Sequence, residues 1–492
     1  MADETAAWLG VDLGTQSVRA LLVTGDGAVL GSGAVPVRGR RDGERHEQDP
    51  GEWWTAVCAA TREALRERPG TRIGGLAVCG TSGTVLLTDH TGRPLGPALM
   101  YDDGRAAAEA ARLRAAGVTV QDTWALPKAL WLTAAHGPGR ITHQPDVITA
   151  RLAGHPVPAD SSHALKTAYD VAADAWPGLP GVPEEALPAV VRPGTVLGTV
   201  CPAAAEATAV PAGTPVVAGM TDGCAAQIAS GALREGAWNS VLGTTLVLKG
   251  AAREPVRDGT GVVYNHRAPD GRWLPGGASS VGAGVLTARF PDADPAEMDR
   301  RAAAHEPSGA VAYPLVSPGE RFPFQAPEAT ALLLGEPASD ADRWAALLQG
   351  VGLAERLCLD YLDHLGAPLD GPLAFTGGAT RSPYWTQLRT DILGRPARIP
   401  DHPEPALGMA ALACHALTRP TAALTDTTDR MVRVRTTVHP RPGHTDRYTG
   451  PYLRLLDALE SRGWLPAPVA AHARRRAGQG AAAGGAGLGK ED

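Results

Sequence analysis

Several signatures that would place a chain in a common functional class are missing from this one. Its six cysteines, Cys58, Cys79, Cys201, Cys224, Cys358 and Cys414, are far apart and form no CxxC pair. That spacing argues against a zinc site or a disulfide framework and for reduced thiols. The histidines, His143, His163 and His402 among them, show no metal-ligand spacing. A formal net charge of −6 leaves no basic footprint for nucleic acid. No apolar run reaches the roughly 20 residues that a bilayer span requires. The opening MADETAAWLG is acidic where a secretory leader would be basic. The expectation is a cytoplasmic protein with no nucleic-acid or membrane partner.

What is present is a long chain able to bury a large core. With 492 residues and 44% hydrophobic content, two lobes with full cores are expected. Strand-like runs at 8–13, 18–23 and 28–37 form a meander whose second turn is Gly25-Asp26-Gly27. A helix is expected over about 52–67, started by Asp49-Pro50, with Trp53, Val57, Ala60, Ala64 and Leu65 near one face. A strand at 73–79, a polar tip at 80–83 and a strand at 84–88 follow. Helical patterns lie at 104–116, 127–136 and about 340–365, the last leading into a strand at 373–375. The Gly- and Pro-rich stretch 250–325, with GGASSVGAG at 276–284, reads as a lobe boundary. The division expected is 1–249, 250–465 and a disordered tail at 466–492, whose ARRRAGQGAAAGGAG lacks bulky apolar groups.

The chemistry-bearing segments begin with VDLGTQS at 11–17, a polar turn between two apolar strands. Gly14 lets the backbone approach a ligand, and Thr15, Gln16 and Ser17 offer donors for phosphate oxygens. Asp12 adds a carboxylate of the kind a hydrated divalent cation uses. A polar-tipped hairpin is also common in β-rich domains. A second copy favours function: in WNSVLGTTLVLKG at 238–250, Leu242, Gly243 and Thr244 repeat the order of Leu13, Gly14 and Thr15. Asp222, in GMTDGCAAQIASG, sits at a strand-to-helix junction, where it can face a cleft or cap the helix. Asp102, Asp103 and Arg105 can form either an ion pair at a helix start or part of a site.

Taken together, DLGTQSVRA (12–20), MYDDGRA (100–106), PKALWL (127–132), MTDGCAAQ (220–227), LGTT (242–245) and FTGGATRSPYW (375–385) resemble the FGGY family of carbohydrate kinases in their expected order. The resemblance implies an α/β fold of two actin-like (ribonuclease H-like) lobes, each with a mixed sheet, around a central cleft. It implies an enzyme that uses ATP and Mg²⁺ to phosphorylate a sugar hydroxyl, as a monomer or homodimer whose partners are small molecules. Asp222 would then accept the hydroxyl proton and Asp12 would position Mg²⁺. Gly14, Thr15, Gln16 and Ser17, with Gly243, Thr244 and Thr245, would hold phosphates, and Gly377, Gly378 and Ala379 the adenosine. Asp12, Ser82, Asp103 and Asp222 would line the sugar. Xylulose kinases of the family carry a Gln-His-Gly type segment where this chain has Cys79-Gly80-Thr81-Ser82-Gly83. GTSGTVLLTD resembles instead the ribulokinase-like branch, which implies D-ribulose. Xylulose, L-ribulose, ribitol or glycerol, or a nucleotide-binding module without catalysis, are the alternatives.

Overall fold

The computed structural model describes residues 6–485, with side chains to residue 478. Asp49 caps the first long helix, Pro50–Leu65, by accepting from the Gly51 amide, and Pro50 pre-sets its first turn. Trp53, Val57, Ala60 and Ala64 recur at helical spacing and are buried. They share a core with Leu9, Val11 and Leu13 of the strand Ala7–Leu13 and with Val18, Ala20 and Leu22 of Ser17–Thr24. The other sheet face meets the helix Pro405–Thr418, which was not read from the sequence. Its approach is so close that a Cβ on Gly10 would lie 1.7 Å from the Ala406 carbonyl oxygen. Glycine is therefore required there by contact, not by turn geometry.

Two compact units result, and their division differs from the expected one. Residues up to Gly231 join His266–Trp273 and His402–Arg433 in the first, while Ala232–Asn265, Leu274–Asp401 and the residues from Val434 form the second. The hairpin at 238–250 thus belongs to the second unit, and helix Pro405–Thr418 returns to the first. The sheet of the first unit has six strands in the order Val196–Thr199, Pro215–Val217, Ile73–Gly80, Ala7–Leu13, Ser17–Thr24, Val29–Pro36. The second sheet repeats this plan. Strands Trp273–Ser279, Leu246–Gly250 and Trp238–Leu242 form its meander, followed by Leu373–Thr376, Ala397–Pro400 and Val434–Val438, with Tyr264–Arg267 added at the other edge. In both sheets the fourth strand of the plan runs parallel to the first.

Two expectations are corrected. Gly276 and Gly277 lie inside the second sheet and mark no lobe boundary: a Cβ on Gly277 would meet the Phe322 ring at 2.5 Å. The expected tail is a helix, Ala467–Gly485. Val469, Ala470, Ala473 and Ala477 recur at helical spacing and are buried in the core of the second unit, beside helix Asp340–His364. Arg476 donates to Asp360 and pairs with Asp363, each at 2.7 Å. Small side chains here permit close helix packing; they do not signal absence of a core. Residues 486–492 of the expected tail lie outside the described residues. Among the described residues, no helix is long and apolar enough to cross a membrane.

Candidate functional site

The site in the first unit is built where parallel strands end. Strands Pro215–Val217, Ile73–Gly80 and Ala7–Leu13 lie side by side and in parallel, so their carboxyl ends converge, the place where open α/β sheets bind ligands. Asp12 and Cys79 are neighbours in register, and the Cys79 thiol donates to Asp12 Oδ1 at 3.5 Å. Only 5% of Asp12 is exposed. Burial pushes its carboxyl up to about 7, and the nearby Asp222 carboxylate pushes the same way, against the Cys79 thiol and Arg19. Burial likewise drives the Cys79 thiol well above its ordinary range.

Asp222 is the first residue of helix Asp222–Ala229, and Thr221 occupies the cap. The cap role considered for Asp222 therefore falls to its neighbour. Its carboxylate accepts from the Gly223 amide at 2.7 Å. Burial raises its pKa, opposed by the Gly223 amide, Lys166, His163 and the Ser82 amide. The two carboxylates are thus within electrostatic reach of each other and of the turn at 80–83.

That turn is held from several sides. Thr81 donates its amide and its hydroxyl to Gln144 Oε1, at 2.8 and 2.9 Å. Lys166 Nζ donates to the Ser82 carbonyl at 2.9 Å. The Ser82 hydroxyl oxygen is buried and has no partner within the protein, an unsatisfied group of the kind a ligand hydroxyl satisfies. At the hairpin tip, Gly14 donates to the Ser17 carbonyl at 3.0 Å and Gln48 donates to the Thr15 carbonyl at 2.7 Å. Gln16 is exposed, and Thr15 and Ser17 are half-buried.

Asp103 is fully buried. Its carboxylate accepts from the His46 amide at 2.7 Å and from Arg105, whose guanidinium also reaches Glu47 and lies 4.9 Å from the Trp131 ring centre. Asp102 holds His46 Nδ1 at 2.6 Å. In this conformation Asp103 offers a ligand no exposed surface; its oxygens organise Arg105 and the strand at His46.

In the second unit, Gly243, Thr244 and Thr245 form the hairpin tip, and the amides of Ala283 and Gly284 donate to the Gly243 and Thr244 carbonyls at 2.9 and 3.1 Å. Gly377 follows the adjacent parallel strand, Leu373–Thr376, with φ of 85°, and a Cβ there would lie 2.5 Å from the Leu242 carbonyl oxygen. The two glycine segments are thus brought together. Gly378 and Ala379 line a cavity of about 1090 Å³ with Ala283, Leu286, Phe290 and Tyr384. Its mostly apolar wall with bare backbone suits a planar ring system.

Sequence reading missed Lys166 and Asp160 and saw in His163 only the lack of metal-ligand spacing. Lys128 is fully buried and donates to the Met100 carbonyl at 2.6 Å; burial, then Lys166, holds its ammonium down to about 7. A signal was available: of the 46 basic residues only Lys128, Lys166, Lys249 and Lys490 are lysine. Lys128 and Lys249 are buried and Lys166 half-buried. In an arginine-rich chain each internal lysine therefore marks a special environment.

Comparison with known proteins identifies the family. The N-terminal domain profile of the FGGY family of carbohydrate kinases matches residues 7–229, and the C-terminal domain profile matches 238–417. A xylulose kinase of Streptomyces rubiginosus is 31% identical over 83% of this chain and 88% of its own length. A glycerol kinase of Gloeobacter violaceus is 29% identical over 80% of this chain and 85% of its own length. The crystal structure of xylulose kinase from Rhodospirillum rubrum superposes with a TM-score of 0.82 at 26% identity, covering 92% of this chain and 98% of that one.

Proposed function

Since this chain belongs to the FGGY family of carbohydrate kinases, and so to the phosphotransferases, we propose that it transfers the γ-phosphoryl group of ATP to a hydroxyl of a ketopentose, with D-ribulose as acceptor. The observation that carries this reading is the pair Asp12 and Asp222, two carboxylates at converging strand ends, each raised by burial. Asp222 orients the sugar hydroxyl and takes its proton. The attacking oxygen forms the new P–O bond as the bond to the β-phosphate bridging oxygen breaks and ADP leaves. A hydroxyl resembles water at roughly 15.7, far above any carboxyl, so the proton moves late, as a loose phosphoryl transition state allows. The raised pKa of Asp222 makes it a better acceptor at that moment.

Mg²⁺ fits the residues present. It needs one or two carboxylates besides waters and phosphates, and Asp12 is a buried carboxylate that a cation would relieve of its cost. Asp12 would hold it, and the ion would neutralise phosphate charge. Gly14, Thr15, Gln16 and Ser17, with Gly243, Thr244 and Thr245, are the phosphate donors in this reading. Gly377, Gly378 and Ala379 take the adenosine. Ser82, whose hydroxyl lacks a protein partner, takes a sugar hydroxyl, and Asp103 shapes the sugar side by holding Arg105.

D-Xylulose is the second reading, favoured by the xylulose kinases among the similar proteins. The deciding experiment is ADP release over D-ribulose, D-xylulose, L-ribulose, ribitol and glycerol. The highest kcat/KM is expected with D-ribulose. A higher value with D-xylulose selects the second reading, and no ADP from any of the five overturns the ketopentose reading and favours a nucleotide-binding module without catalysis.

A further inference from the structure

The strand ends that carry Asp222 and Ser82 are tied to one buried carboxylate that no part of the proposed chemistry uses. Asp160, Ser162 and His163 are 3%, 0% and 0% exposed. Asp160 Oδ1 accepts from the Ser162 amide at 2.9 Å, the His163 amide at 3.2 Å and the Ser162 hydroxyl at 2.5 Å. Asp160 Oδ2 accepts from His163 Nδ1 at 2.6 Å. The Ser162 hydroxyl has one proton, and Asp160 takes it, so its oxygen is an acceptor toward everything else. It accepts from the Thr221 amide at 2.9 Å, one residue before Asp222. His163 Nε2 faces the Gly80 carbonyl at 3.3 Å, two residues before Ser82. Both ring nitrogens face acceptors, which calls for the imidazolium. Although burial opposes that form, the Asp160 carboxylate outweighs it and raises the His163 pKa.

We propose that Asp160, acting through Ser162 and His163, is a positioning group that fixes the Thr221–Asp222 junction against the Gly80–Ser82 turn, and so the proton acceptor against the sugar-binding hydroxyl. The inference rests on the roles assigned above to Asp222 and Ser82. As the cap of the four-residue helix Ser161–Ala164, Asp160 needs only the two backbone contacts. Here the same carboxylate also directs a hydroxyl and an imidazole onto two other chain segments, Gly80 and Thr221, which are themselves parallel bridge partners. A charged pair set between them resists sliding of one past the other, and rate depends steeply on such placement.

The test is steady-state kinetics with the best ketopentose, on variants that separate the cap from the positioning contacts. Ser162→Ala removes the acceptor of the Thr221 amide. Asp160→Asn keeps an oxygen for the backbone cap but turns an amide toward the His163 ring. Each is expected to lower kcat about 10- to 100-fold while the KM for ATP stays within about twofold, and Ser162→Thr to restore most of the loss. Thr61→Val also loses a buried hydroxyl, one that bonds only within its own helix to the Val57 and Cys58 carbonyls, and should leave kcat unchanged. An active wild type with Ser162→Ala equal to it overturns this inference alone. A kcat loss that Ser162→Thr does not rescue, or that Thr61→Val shares, assigns the trio to general stability and overturns it as well. A wild type inactive on every acceptor overturns the proposed function and this inference together.

Discussion

In the first unit the strand Ala7–Leu13 sets Asp12, its next-to-last residue, beside Cys79, a buried carboxylate against a buried thiol. Counted from the shared Leu-Gly-Thr, the matching positions in the second unit are Val241 and its register partner Thr376. The Thr376 hydroxyl is satisfied there by Asn239 at 3.0 Å, with no charge involved. The hairpin tips differ too: strand pairing closes at Leu13 and Val18 in the first and at Leu242 and Leu246 in the second. One sheet plan thus serves two purposes. Where it sets carboxylates at its strand ends it stores electrostatic cost, and where it leaves glycine and apolar walls it offers a receptive surface. Fold alone distinguishes neither.

The sharpest way to break the comparison is to neutralise the charged unit. Asp222→Asn should lose roughly 10² to 10⁴ in turnover and keep ADP affinity by calorimetry. Near-normal turnover would leave the first unit no more chemical than the second. Next in size is deletion of 467–492, which strips Val469, Ala470, Ala473 and Ala477 from the core of the second unit alone. Denaturant unfolding should show that unit losing on the order of 3–5 kcal/mol while the first is unmoved; an unchanged midpoint would restore the disordered-tail reading.

The buried lysine of the first unit gives a pH signature. The folded-state pKa of Lys128 is about 7 against an ordinary 10.5. Across that window the unfolded chain binds the proton and the folded chain does not, so this group's contribution to stability rises with pH and is smallest below 7. Lys128→Met removes that slope. Relative to wild type the variant should be most favoured at and below pH 7 and lose about 3 kcal/mol of that advantage by pH 10; parallel stability curves would contradict the burial argument. The smallest effect sharpens the second unit: Gly377→Ala, at positive φ against the Leu242 carbonyl, should cost about 1–3 kcal/mol, and Gly243→Ala, with open space around it, about 0.5 kcal/mol or less in thermal unfolding. Equal costs would mean the two glycines are not distinguished by packing.

The elements legible in the chain were those with a strong local period. Helix Pro50–Leu65 has a cap, a proline and one apolar face, the long helix Asp340–His364 has helical periodicity, and the first two meander strands are short apolar runs separated by a polar turn. Helix Pro405–Thr418 was invisible as a partner of the first unit because its Ala-rich sequence, buried nearly all round, has no polar face to give it a period. The terminal helix was misread for the related reason that alanines carry a packing stripe without looking apolar. Within the site, Asp12, Asp222 and the glycine turns stood out by motif. Lys166, Asp160 and His163 did not, because their significance lies in bonds to Ser82, Thr221 and Gly80, far from them in the chain.

By itself the order of residues determined the strands and helices with a strong local period, that a strand–turn–strand unit occurs twice, and which acidic side chains end up at strand-to-turn junctions, since these depend on neighbours within a few positions. Only tertiary structure decided that residues 402–433 complete the first unit, that Asp103 is consumed by Arg105 and His46, and that Asp160 reaches both Gly80 and Thr221 through its neighbours. Local propensity acts over a turn of helix or a pair of strands. Burial, charge pairing and the pKa values that follow from them depend on what the rest of the chain brings alongside.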